Sequence, residues 1–195
     1  MGYDYNNYEN DEFATLFADY PEVADLNDER LNDSIWQHSK SNRAPALLEM
    51  QQTEYLCELD SARLTLAVWQ GVEFPVKQWD TWEGLWQNYK TPPEQSQRIN
   101  ALFSKPRTVY RGGSQDGWSW TLNPEQARWF AVYRGGYSKM ILEDDDTIEA
   151  LPVGLWSKVV SADAVLAVLD SEREVILKYD PYEPNYYGTA TSLAA

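Results

Sequence analysis

Apolar residues recur along this chain at two different intervals, and the interval changes near Pro106. Before that point they return every three or four positions, the period of a helix with one buried face. Asn27 to Ser39 predicts a capped helix with Leu31, Ile35 and Trp36 inward. Ala44 to Trp69 predicts the longest helix, with Leu48, Tyr55, Leu59, Ala62 and Leu66 on one stripe and Gly71 closing it. Residues 76–90 place Trp79, Trp82 and Trp86 on one helical face, read as core or as a recognition surface for a partner. Pro92-Pro93 breaks the chain, and Glu94 to Ser104 resumes as a helix with Ile99, Leu102 and Phe103 inward. A shorter helix is predicted over Glu12 to Asp19, stopped by Pro21.

After Pro106 the pattern shortens to β-like runs. They are Thr108 to Tyr110, Trp118 to Leu122, Ser138 to Leu142, Trp156 to Val160, Val165 to Leu169 and Glu174 to Tyr179. Only a helix over 124–133 interrupts them. Asn123 is its N-cap, Pro124 suits its first position, and Gln126 falls where a capping box needs its side chain. A helical half followed by a mainly β half predicts an α+β fold rather than alternating βαβ units. The expected organisation is one domain: a helical lobe over 1–105, a β-rich core over 106–181 and an extended tail over 182–195.

Composition narrows the function. The 195 residues carry 16 basic and 31 acidic side chains, a net charge of −15. That balance argues against direct nucleic-acid binding, which needs clustered Lys and Arg, and favours solubility or a basic protein partner. The start has neither the basic nor the apolar region of a signal peptide, and no apolar run reaches membrane-spanning length. No membrane association and a cytoplasmic location are expected. The lone Cys57 lies in an apolar-periodic segment and reads as a buried structural thiol. The sole histidine, His38, builds no metal site by itself, so no metal is expected. The acidic run Glu143 to Asp146 lacks the glycine and alternating ligands of a calcium loop.

What remains for chemistry is an arginine, hydroxyls and carboxylates at strand ends. Tyr110-Arg111-Gly112 closes one strand, Ser119-Trp120-Thr121 forms the next, and Glu172-Arg173-Glu174 opens the last. Residues i and i+2 of a strand share a face, roughly 6.6 Å apart, so two carboxylates there can flank one small reacting group.

In this order the three pieces resemble the R-S-E class of mono-ADP-ribosyltransferases. The run SWTLNPEQARWFA looks like short phage-encoded members, some of which disable bacterial defence or host proteins. One departure is Ser-Trp-Thr where the family often has Ser-Thr-Ser. The resemblance implies a split antiparallel sheet core, NAD as substrate and a protein as target. It also implies residue roles. Arg111 would bind the NAD phosphates or ribose, and the Gly112 backbone would meet the nicotinamide carboxamide beside Tyr110. Ser119 would hold the ribose and orient the catalytic glutamate, with Trp120 and Thr121 shaping that strand. Glu174 would stabilise the oxocarbenium ion formed as nicotinamide leaves, and Glu172 would orient or deprotonate the acceptor. Phe130 or Trp129 would cover the nicotinamide ring, and Arg134 would reach a phosphate. The alternative is an acidic, non-catalytic inhibitor that mimics DNA or docks on a basic partner. A transferase fold retained only for binding lies between the two.

Overall fold

A computed structural model describes residues 29–53, 56–71, 78–115, 117–132, 154–170, 173–179 and 191–193. The predicted helix over Glu12–Asp19, the run Ser138–Leu142, the acidic run 143–146, Glu172 and Arg134 lie outside them. The fold is α+β, with helices preceding an antiparallel sheet. Two compact units divide the chain, one over 21–96 and one holding 97–195.

The helical unit contains α1 (Glu29–Trp36), α2 (Lys40–Gln52), α3 (Glu58–Gln70), α4 (Trp79–Gln87) and the start of α5 (Pro93–Leu102). The single long helix expected over 44–69 is two helices. Its second half has an N-cap of its own: Cys57 Sγ accepts the Asp60 N–H at 3.4 Å, which starts a new helix and ends the old stripe. Cys57 is exposed, not the buried thiol its apolar neighbours suggested. Trp36, expected inward, is also exposed, with the Arg43 guanidinium 4.4 Å from its ring centre.

Burial in this unit centres on tryptophan. Trp69 meets Trp82 edge-on at 4.8 Å and Trp86 at 5.2 Å, and Trp86 meets Tyr89 at 5.3 Å. Trp82 is fully buried and Trp86 nearly so. Trp82 and Trp86 therefore serve a core rather than the recognition surface expected of them, while Trp79 is half-buried. Gln51 and Thr65 join α2 to α3 through a hydrogen bond of 3.3 Å, and Arg63 pairs with Glu94 at 3.1 Å.

Among the described residues the second unit is built on a six-stranded sheet. Its strands are β1 (Arg107–Gly113), β2 (Ser119–Thr121), β3 (Gly154–Val160), β4 (Val165–Leu169), β5 (Glu174–Leu177) and β6 (Thr191–Leu193), in the order β4-β5-β2-β1-β3-β6. Every pairing among the described strands is antiparallel. The segment expected as an extended tail thus contributes a strand, β6, beside β3. Helix α6 runs through 124–132, close to its expected span.

Alternation sorts the strands onto two faces. Val109, Trp120, Val160, Val168, Val175 and Leu177 point to one face and pack with Ile99 and Leu102 of α5 and with Phe103 just beyond it. Helix α6 covers part of the other. There Gly112 lies so close that a Cβ would run into the Ala127 carbonyl oxygen and the Ala131 nitrogen. Only glycine permits that crossing of strand and helix.

Candidate functional site

The three motif strands are hydrogen-bonded neighbours, in the order β5-β2-β1. Ser119 pairs with Ile176, Trp120 with Val175 and Thr121 with Glu174, while Tyr110 pairs with Thr121 and Ser157. Residues far apart in sequence therefore form one transverse row on the α6 face: Ser157, Tyr110, Thr121, Glu174. Directly opposed side chains in such a ladder have Cβ atoms ~5 Å apart, and diagonal neighbours such as Ser119 and Glu174 roughly 7–8 Å.

Glu174 is the first residue of β5. The chain enters through a turn closed by the Arg173 N–H on the Asp170 carbonyl at 3.0 Å, and Arg173 itself has a φ of 51°. A non-glycine residue in the left-handed region is uncommon, and here it brings the chain into register immediately before the carboxylate. Glu174 is 8% exposed and Thr121 4%. An acid so placed has little water around it, so its charge acts on a neighbour more strongly than a surface carboxylate does.

Thr121 has a second task. Its hydroxyl accepts the Asn123 N–H at 3.1 Å, while Asn123 Oδ1 accepts from the N–H groups of Glu125 (2.9 Å) and Gln126 (3.3 Å). Asn123 is the cap that its sequence position predicts. The reciprocal half of the capping box is absent, because Thr121 already holds the N–H that Gln126 would have accepted.

Arg111 departs from the expected arrangement. It pairs with Trp156, one residue out of step with Tyr110, and so projects from the face opposite Thr121 and Glu174. Its Nε donates to the Ser114 carbonyl at 2.8 Å and its Nη1 to the Ser119 carbonyl. Gly117 lies against the guanidinium, where a Cβ would come within 2.5 Å of Nη2. The fork thus braces the loop between β1 and β2, the geometry that arginine's fixed planar donors suit. Trp120, on this same face, donates from Nε1 to the Gly117 carbonyl at 3.0 Å and carries the Lys158 ammonium 4.4 Å from its ring centre.

Phe130 and Trp129 are half-buried on α6, with ring centres 5.0 Å apart. His38 is exposed in the helical unit. Among the described residues no group of three or more His, Cys, Asp or Glu is arranged to hold a metal, and no helix is long and apolar enough to cross a membrane. Sequence reasoning assigned Tyr110 only a supporting place and passed over Ser157. Their membership of the Glu174 row depends on strand register, which pairs residues 47 apart in the chain and leaves no local signal. No family model, curated protein or solved structure matches the chain.

Proposed function

We propose that the protein is an NAD-dependent mono-ADP-ribosyltransferase acting on a protein target, with Glu174 as its catalytic carboxylate. The observation carrying this reading is the pairing of Glu174 with Thr121 beside Ser119, with the arginine strand next in the sheet. In the reaction the C–N bond between nicotinamide and ribose breaks, nicotinamide leaves with the bonding pair, and the ribose carbon becomes cationic. Glu174 stabilises that cation. At ~4 Å and an effective dielectric near 20, the attraction is worth about 4 kcal/mol, or roughly a thousandfold in rate. Ser119 and Thr121 supply hydroxyls that hold the ribose or the carboxylate in place. A nucleophilic side chain on the target then bonds to the ribose carbon and gives up its proton, and Glu172 is the candidate acceptor of that proton. Phe130 and Arg134 remain the candidates for ring and phosphate contacts. Arg111 acts through the loop it braces.

A second reading is an acidic binding protein that keeps a transferase-like sheet without catalysis. The net charge of −15 and the engagement of Arg111 with two carbonyls favour it. Incubation with labelled NAD and a cell lysate separates the two, with wild type run beside Glu174→Gln. Label on a protein band that disappears in the variant supports transfer. Partner capture by both proteins, with no label in either, supports the binding protein.

A further inference from the structure

Gln126 is a buried polar residue of the second unit whose side-chain donor local structure leaves unused. Its residue is 3% exposed, and its side-chain Nε2 is buried with no hydrogen-bond partner among the described residues. Its position in the chain suits a capping box, yet Thr121 holds the Asn123 N–H and removes that role. A buried amide donor left unpaired costs free energy in the unbound protein, so it persists at a functional position more readily than at an idle one.

Its neighbours locate it. Three residues earlier, α6 is tied to the sheet where Asn123 meets Thr121; one residue later, the Ala127 carbonyl lies against Gly112. Thr121 and Gly112 both belong to the face that bears Ser119 and Glu174. Gln126 therefore sits on the stretch of α6 that crosses the candidate site. We infer that Gln126 is a substrate-recognition residue, its Nε2 donating to an uncharged acceptor oxygen, carbonyl or hydroxyl, on the nicotinamide-ribose half of the bound dinucleotide. An uncharged donor suits such an oxygen, whereas a phosphate calls for a cation. This assignment rests on the transferase reading.

The test uses the full-length protein with NAD as the probe and compares wild type, Gln126→Met and Gln126→Glu. Methionine keeps the length of the side chain and removes the donor. Gln126→Met raises the melting temperature of the free protein by a few degrees and weakens NAD binding about tenfold, with KM rising more than kcat falls. Gln126→Glu, which exchanges the donor for an acceptor, binds NAD more weakly than Gln126→Met. A melting temperature that falls in Gln126→Met shows that the amide has a structural partner and overturns the inference. So does a stabilised Gln126→Met that binds NAD as wild type does. Wild type that neither binds nor cleaves NAD overturns the transferase reading as well, whereas the two preceding results leave that reading standing.

Discussion

Glu174 stands directly across the β2–β5 ladder from Thr121, and the same threonine hydroxyl accepts the N–H of Asn123 where α6 begins. One buried side chain thus joins the candidate carboxylate strand to the helix that covers its face. Thr121→Val keeps the shape and deletes the acceptor, leaving the Asn123 N–H to find another partner. The expected cost is about 1 kcal/mol. Thr121→Ser retains the hydroxyl and costs less. Urea denaturation of the two variants beside wild type checks the order, and a valine variant as stable as wild type would remove Thr121 from this role.

Gly112 marks a close contact of β1 with α6. In Gly112→Ala the new methyl would overlap backbone atoms at Ala127 and Ala131, which cannot swing aside as a side chain does. Overpacking of this kind costs about 3 kcal/mol. In a protein of this size the melting temperature then falls by about 6–12 °C. Thermal unfolding followed by circular dichroism measures it. A fall of less than about 2 °C would show that α6 does not cross β1 so closely.

The pattern of residues carries most of the element order and much less of the site. Asn123-Pro124 announces the start of α6 because capping chemistry is local, and Val165–Leu169 is strand from end to end as its apolar run suggests. The end of α2 at Gln52 and the start of α3 at Glu58 are illegible because the apolar period continues past them, while Cys57 caps the new helix in place of the usual Ser, Thr, Asp or Asn. Adjacency of the motif strands follows from the sheet, and the register then separates Arg111 from Glu174 by a single step of alternation. A motif read as a string does not record which face each letter takes. The same blindness applied to the tryptophans, whose helical spacing suits a core and a docking face equally well.

The tryptophan cluster yields a prediction in the helical unit. Trp82 is fully buried between Trp69 and Trp86, so Trp82→Ala removes a large side chain from a packed site. The expected loss is about 3–5 kcal/mol. Trp36→Ala, on the surface, loses a stacked guanidinium worth about 0.5–1 kcal/mol. Guanidinium chloride denaturation of both variants should show this contrast. Similar losses at the two positions would show that Trp82 is not packed in a core.

Arg111 and Gly117 form the remaining pair to be tested together. Gly117 has a φ of +138°, a conformation strained for any other residue, and its α-carbon lies against the guanidinium. Arg111→Lys keeps the charge but not the fork that reaches the Ser114 and Ser119 carbonyls, at an expected cost of about 1–2 kcal/mol. Gly117→Ala strains the same loop from its other side. Each variant should speed amide exchange across 114–119 while leaving β3 and β4 protected. The double variant should lose less than the sum of the two, because either change alone already releases the brace. If Arg111→Lys lowers affinity for NAD with amide exchange in the loop unchanged, the guanidinium meets the dinucleotide directly, and its contacts with the loop are secondary.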